Sequence, residues 1–581
     1  MQFDSFPELV KLRRTGEANL FPQQIKITVG AATCGLAAGA EEVYQALDKR
    51  IQQRGLDVHL SRTGCLGCCQ REPLVDVRLP GFGRVIFAQM TQARARALVD
   101  KLAQGELLTD WAWTVVDQEE LVIPGEMRKF SRQPALNNLP EIQQTEFFAP
   151  QRKIVLRNCG MVNPESLGEY LARDGYQGLF QALSHFSPQG VIDEVKKSGL
   201  RGRGGGGFST GRKWQVAKDT PAEVKYLICN ADEGDPGAYM DRTVLESDPH
   251  SVIEGMLIGA YAVGASQGYI YIRDEYPLAI DRLGTAIEQA SSQGLLGKAI
   301  LGMGFSFDLE IIRGAGAFVC GEETAMIASI EGGSGEPRPK PPYPAVAGLW
   351  GQPTVINNVK TWATVPVILK RGAHWYNSLG APDNAGTVVF SLVGQIANTG
   401  LVEVPFGMTL GELLQEVGGG GSNGRAIKAV QTGGPSGGCL PARLFDTPIT
   451  YEAMSATGSI MGSGGMVALD ESACMVDVAR YFLEFTQLES CGKCTACREG
   501  TRHLREILER ITHGAGLPGD LDLLEEVGMA VQQGSLCGLG QTAPNPVLST
   551  LRYFREEYEE HVIEKRCPTD VCRMTAEATH V

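Results

Sequence analysis

The stretch ESCGKCTACREG, residues 489–500, sets Cys491, Cys494 and Cys497 at a strict three-residue spacing. A step of three residues along a helix turns about 300°, so successive thiols drift by roughly 60° and all three can face one object. Thiols this close do not pair comfortably as disulfides, and three is an odd number. A cubane iron–sulfur cluster takes this pattern, with thiolates from a local run and a distant Cys to close the site. Zinc is the rival, although zinc motifs usually come as paired C-x-x-C knuckles. The bland alternative is three buried cysteines packed as small apolar residues. Cys537, in GSLCGLG, follows forty positions after Cys497 with no second knuckle around it. That asymmetry favours one [4Fe–4S] cluster on Cys491, Cys494, Cys497 and Cys537.

The chain of 581 residues has room for roughly three to five domains. Its net charge of −14 argues against a nucleic-acid or anionic-membrane surface. No apolar run approaches the roughly 20 residues that span a bilayer, so no membrane insertion is expected. The opening MQFDSFPELVKLRR is too charged for a secretory signal. Fifteen cysteines in such a chain point to reduced thiols, metal ligands and redox chemistry in the cytoplasm.

Periodicity divides the chain into a multidomain α/β and α protein. Residues 1–110 alternate strand-like and helix-like runs, with QQIKITVG a strand and AAGAEEVYQALDKRIQQRG a helix. PLVDVRLP and RVIFAQM read as a hairpin, and the whole as a small thioredoxin-like domain. Residues 111–155 lack periodicity and read as a linker. A Gly-rich α/β body occupies 156–385, and a β-rich module with one helix occupies 386–469. From 470 to 565 the pattern is a helical bundle that contains the cysteine run, and 566–581 is a tail.

Four stretches of the body carry chemistry. In SGLRGRGGGGFSTGRKW, Gly202-x-Gly204-x-x-Gly207 fits the dinucleotide fingerprint, but the preceding VIDEVKKSG is helical where that fingerprint needs a strand. What survives is a loop whose N–H groups can close on a phosphate or flat ring, with Arg203, Arg212 and Lys213 beside it. A plain flexible linker would be Ser-rich and free of this charge. NADEGDPG ends a strand in Asn230, Asp232, Glu233 and Asp235, acids that suit polyol hydroxyls or a divalent ion, or else a solvated turn. Glu322 and Glu323 open a helix, where dipole stabilisation accounts for one of them. PRPKPPYP presents Lys340 and Tyr343 on a stiff segment that could equally be a surface connector, and TVINNVKT supplies Asn357 and Asn358.

These motifs, in this order and together with SCGKCTACREG, resemble the flavin subunit of respiratory NADH dehydrogenase (complex I) and its relatives in NAD-dependent formate dehydrogenases and NAD-linked hydrogenases. The resemblance covers roughly residues 155–565. It implies a non-Rossmann FMN and NADH domain, a β-grasp (SLBB-like) module and a four-helix bundle with one [4Fe–4S] cluster. It further implies that Gly202, Arg203, Gly204 and Lys213 cradle FMN. Asn230, Asp232 and Glu233 would hold its hydroxyls, with Glu322 beside them and Asn357 and Asn358 closing the site. Phe208, Asp235, Glu323, Lys340 and Tyr343 would line the path of NAD(H). Asp at 235, where the respiratory enzymes resemble Glu, fits the hydrogenase and formate dehydrogenase relatives better. Hydride exchange with a flavin requires no protein acid or base, so no catalytic residue is assigned. The implied partners are other iron–sulfur subunits of a larger oxidoreductase. The alternative is a non-catalytic electron-wiring or scaffold subunit; an iron–sulfur module that senses sugars through the β-grasp is a third reading.

Cys34, Cys65 and Cys69 match three positions of the thioredoxin-like [2Fe–2S] pattern, but the expected second ligand falls at Gly39. Cys68 is a conceivable substitute, and a degenerate docking domain is the other reading. A thiol–disulfide enzyme is disfavoured, because the CxxC at 65–68 does not open a helix. His561, Cys567 and Cys572 suit zinc, completed by Cys474, or else belong to a disordered tail with free thiols. No ferredoxin-type cysteine run follows them.

Overall fold

The computed structural model describes residues 3–574. Its first sheet holds β1 (Ile25–Gly30), β2 (Val58–Thr63), β3 (Val75–Arg78), β4 (Arg84–Phe87) and β5 (Ala112–Val116), in the order β2-β1-β3-β4-β5. β1 and β2 run parallel, while β3, β4 and β5 continue antiparallel. The β-branched residues Ile27, Val29, Val75 and Val77 pack under α3 (Ala40–Arg54) and α4 (Gln92–Leu102), which places Val43, Leu47, Leu98 and Val99 on the same core. The short α2 (Thr33–Ala37) follows β1.

Two departures from the periodicity reading appear here. Residues 111–155, expected to be a linker, contain β5, which pairs with β4, and a ribbon of β6 (Gln118–Leu121) and β7 (Glu126–Lys129). Ladder hydrogen bonds, rather than amphipathic pattern, hold these short strands. The opening segment forms α1 (Pro7–Leu20), whose Leu9 is buried in the core of the next module.

That module begins with α5 (Leu167–Ala172), α6 (Gln177–His185), α7 (Pro188–Lys197) and α8 (Thr210–Asp219). An all-parallel sheet follows in the order β10-β9-β8-β11, made of β8 (Tyr226–Ala231), β9 (Gln267–Arg273), β10 (Asp308–Gly314) and β11 (Thr354–Asn358). Between the strands lie α9 (Met240–Ser247), α10 (Pro249–Val263), α11 (Pro277–Ser292) and α12 (Glu323–Ile330). After β11 come α13 (Val359–Arg371) and α14 (Ala373–Asn377). α10 is apolar nearly all round and runs through the centre of the core, against α13. The glycine loop joins helix α7 to helix α8 and follows no strand, which excludes the Rossmann arrangement.

A small ribbon of β12 (Gly380–Ala381) and β13 (Asn384–Ala385) leads to a second five-stranded sheet. Its order is β15-β14-β18-β16-β17, from β14 (Thr387–Gly394), β15 (Gly400–Pro405), β16 (Ile427–Thr432), β17 (Cys439–Pro441) and β18 (Gly465–Asp470). The single helix expected here is a π-helical turn over Glu412–Val417. The short α15 (Tyr451–Ala456) precedes β18. Buried Glu403 of β15 accepts the N–H groups of Ile154, Val155 and Leu156, each at 2.9 Å, and so fixes the incoming chain against this sheet.

The bundle comprises α16 (Met475–Leu488), α17 (Thr495–Thr512), α18 (Asp520–Gly534) and α20 (Asn545–Tyr553), with the short α19 (Gly538–Thr542) and α21 (Arg555–Glu559). Its interior is Val476, Leu483, Leu504, Leu508, Leu524 and Val547. No helix among the described residues is long and apolar enough to cross a membrane.

Candidate functional site

The glycine loop is held from below by its own arginine. Arg203 is buried, and its guanidinium donates to the carbonyls of Arg201, Ala385 and Thr387 and to the Tyr376 hydroxyl. Its N–H donates to Thr361 Oγ1 at 2.9 Å. The expectation that its charge lies beside a ligand is therefore corrected: the guanidinium staples the loop to β13 and β14. From the β-grasp side, the Tyr451 hydroxyl donates to the Gly202 carbonyl at 2.8 Å. Gly207 has φ +60, and a Cβ there would lie 2.6 Å from the Tyr451 ring, so only glycine fits. Beyond it, Phe208 is 59% exposed, an apolar ring left facing solvent.

The carboxylates at the end of β8 divide into two kinds. Glu233 caps α9, accepting the N–H groups of Asp241 and Arg242 at 3.0 and 3.1 Å, and burial pushes its pKa up to about 7. Expected as a hydroxyl acceptor, it holds a helix. Asp235 accepts from Ser463 Oγ at 2.7 Å, so it faces the β-grasp module; burial raises it to about 6. Asp232 differs. Its Oδ1 lies 3.5 Å from Arg273, but Oδ2 is buried without a partner. Burial raises this carboxyl to about 7. A buried, unpaired carboxylate oxygen at a strand's C-terminal end is costly unless a donor arrives. Beside it, Asn230 donates to the Gly321 carbonyl at 2.9 Å. On the adjacent strand Asn357 accepts from the Trp214 indole, and Asn358 donates to Asp241, which is paired with buried Lys360.

A row of alternating charges leads away from the loop. Lys213 Nζ meets Glu323 at 2.5 Å, Glu323 lies 3.8 Å from Lys340, and Lys340 meets Glu322 at 2.6 Å. Burial opposes the charge of Glu323, yet Lys213 and Lys340 overcome it and hold its carboxyl below the usual range. Glu322 also accepts the N–H groups of Thr324 and Ala325, so it is the N-cap of α12. Tyr343, 60% exposed, stands on the same proline segment as Lys340.

Where this row ends, the four bundle cysteines begin. Cys491, Cys494, Cys497 and Cys537 line one cavity with Val319, Pro337, Lys493, Leu536 and Leu539. Lys493 donates to the Pro337 carbonyl at 2.9 Å, and Glu489 accepts the Phe318 N–H at 2.8 Å, which binds the cysteine loop to the α12 region. Cys494 and Cys537 sit at the N-caps of α17 and α19, where helix dipoles favour an anionic occupant. Burial pushes Cys497 up to about 11, so a metal that binds here displaces its proton.

A separate set lies behind the bundle. Cys474, His561, Cys567 and Cys572 have ligand atoms all within 4.8 Å of one another. Cys474 Sγ is 3.5 Å from His561 Nε2 and 3.6 Å from Cys572 Sγ, close to the roughly 3.8 Å between sulfurs on one tetrahedral zinc. His561 Nδ1 lies 2.7 Å from the Glu557 carbonyl, which fixes the ring with Nε2 toward the thiols. The hydrogen bond from Cys572 brings the Cys474 thiol down to about 4, and that thiolate outweighs burial to raise His561 to about 9. In the first domain Cys34, Cys65 and Cys69 converge, while Cys68 turns into the β-grasp core.

Sequence reasoning missed Thr361, Ser463, Arg273, Trp214 and the Lys360–Asp241 pair. Ser463 stands in the glycine-flanked MGSGGM, Trp214 closes the glycine-loop stretch, and Lys360 and Thr361 end TVINNVKT.

Comparison with known proteins agrees with this layout. Residues 195–367 match the Nuo51 FMN-binding domain, 389–440 the SLBB domain, and 477–561 the NADH-ubiquinone oxidoreductase-F iron-sulfur binding region. The NADP-reducing hydrogenase subunit HndC of Solidesulfovibrio fructosivorans is 56% identical over 422 residues, covering 73% of this chain and 86% of that protein. The NADH-quinone oxidoreductase F 2 subunit of Rhizobium meliloti is 46% identical, over 71% of this chain and 99% of its own length. A crystal structure of an NAD+-reducing [NiFe]-hydrogenase in the H2-reduced state aligns with a TM-score of 0.63 and 29% identity, over 96% of this chain and 90% of that one.

Proposed function

This chain belongs to the family of the F-type subunits of NADH-quinone oxidoreductase and their hydrogenase counterparts, and from that premise we propose an NAD(H)-linked flavin and iron–sulfur electron-transfer subunit of a larger complex. FMN, when bound, exchanges an electron pair with a nicotinamide and single electrons with an iron–sulfur cluster. The glycine loop offers backbone N–H groups to its phosphate, and Asn230 and Asp232 take its hydroxyls. Phe208, Tyr343 and Lys340 receive the nicotinamide nucleotide at the exposed rim, with Glu323 and Asp235 behind them. Cys491, Cys494, Cys497 and Cys537 would hold the [4Fe–4S] cluster against α12, where it would supply one-electron exchange with the flavin. No protein acid or base is assigned. The complex is a multi-subunit oxidoreductase of the hydrogenase, formate dehydrogenase or similar kind, the partners are its other iron–sulfur subunits, and the compartment is the cytoplasm, in keeping with fifteen unpaired cysteines. Cys474, His561, Cys567 and Cys572 take zinc, whose role is to close the bundle.

The observation that carries the reading is the buried, partnerless Oδ2 of Asp232 beside an anchored glycine loop. FMN titration of the purified chain, followed by NADH-driven ferricyanide reduction, tests it. Flavin binding with no NADH oxidation would instead favour the wiring role, and refusal of FMN would end the proposal.

A further inference from the structure

The cysteines of the first domain fit a four-thiolate cluster poorly, and the misfit is specific. Cys69 Sγ lies 3.7 Å from Cys34 Sγ, and Cys65 Sγ accepts the Gly67 N–H at 3.2 Å, the kind of bond that surrounds cluster sulfurs. The fourth position of the sequence pattern is Gly39, which has no side chain. Cys68, the conceivable replacement, is fully buried on the other side, among Phe390, Val402 and Leu74. A different donor stands in the gap: the hydroxyl of Tyr239, 3.5 Å from Cys69 Sγ, on the residue that precedes α9 of the next module.

That tyrosine is held in register with the thiols. The Thr33 N–H donates to Glu246 at 2.9 Å, and the Cys65 N–H to Ser247 Oγ at 3.1 Å, so α9 grips both cysteine loops. Arg282 donates to the Ala31 carbonyl at 2.8 Å from α11. Glu72 is the competing donor: its Oε2 accepts the Leu74 N–H at 2.8 Å, while the contact to a thiol is that of Tyr239, and E72Q separates the two. The thiols do not form a one-ion site: among the described residues, the set with all ligand atoms within 4.8 Å is the one around Cys474. A wider core spans them.

We propose that Cys34, Cys65 and Cys69, with the Tyr239 phenolate as fourth donor, hold a [2Fe–2S] cluster whose ligands come from two modules. Assembly forms three Fe–S bonds and one Fe–O bond to the protein, and each donor releases one proton to solvent. The inference is independent of the nucleotide and flavin reading, and the bundle cage serves as an internal reference for it.

The test uses the full chain, loaded anaerobically with ferric iron, sulfide and excess thiol, and reads iron and sulfide per chain together with resonance Raman spectra. C34S is expected to hold about two irons fewer than the parent, whatever the content of the bundle cage. Iron-bound tyrosinate ring modes are expected in the parent and absent in Y239F. Y239C is expected to regain the spectrum of an all-thiolate two-iron cluster, which separates loss of a ligand from loss of fold. C68S is expected to match the parent. Equal iron in C34S and the parent would overturn the site. Unchanged Raman spectra in Y239F, or loss of the chromophore in E72Q or C68S, would overturn the tyrosine.

Discussion

The bundle cage and the three-thiol seam of the first domain both gather cysteines, but they are assembled differently. Three ligands of the cage come from one seven-residue run, and the fourth from the junction of α18 with α19 in the same bundle. The seam brings its thiols from two loops of the first domain and fills its remaining corner from the neighbouring module. A site written in contiguous residues declares itself by spacing. One completed across modules leaves a gap in the pattern, here at Gly39, that only packing fills.

The cage should give the largest effect. C494S is expected to lose about four irons per chain and to stop electron delivery to partner clusters, while NADH-driven ferricyanide reduction persists. If partner reduction survives, the cage is not on the route and the contrast fails. Next comes the Cys474 set, local in three ligands and distant in one. C572S is expected to release one zinc equivalent to a colorimetric chelator. Stability would fall by about 4 kcal/mol for a metal present at a thousandfold its dissociation constant, read as a lower Tm. An unchanged Tm would leave the set as free thiols.

Asp232 sharpens the comparison within the flavin site, because its environment is assembled from several elements. D232N is expected to weaken FMN binding by about 1–3 kcal/mol, as measured by fluorescence titration. Its pH dependence carries a sign. Burial raises the carboxyl to about 7, so it is neutral below that pH, and the ionised form above it is the stronger acceptor of hydroxyl donors. FMN affinity should therefore rise as pH climbs through about 7, and D232N should flatten that rise. The smallest effect is expected at the rim: F208A should raise the KM for NADH by about 1 kcal/mol, a fivefold change, with kcat little altered.

Much of the architecture was legible in the sequence because the determinants are local. Period-2 runs such as KITVG, and the amphipathic pattern of α3 and of the bundle helices, mark elements whose own residues build the core. β5 reads as linker because its stability lies in pairing with β4, and β6 and β7 because two four-residue strands that pair with each other are too short to show a period. At the site, the glycine loop and the four cage cysteines could be read from composition and spacing. The role of Arg203 could not, since an arginine beside glycines looks like a ligand's partner until the carbonyls that receive it are known. Glu233 misled in the same way: the helix it caps begins seven residues on, beyond the reach of a motif.

The clasp behind the bundle has a consequence for biogenesis. Cys572 lies 98 residues after Cys474, so the two thiols cannot meet until the ribosome has extended the nascent chain through all of the cage-bearing helices. Until then Cys567 and Cys572 are absent, and the clasp on the first bundle helix stays open.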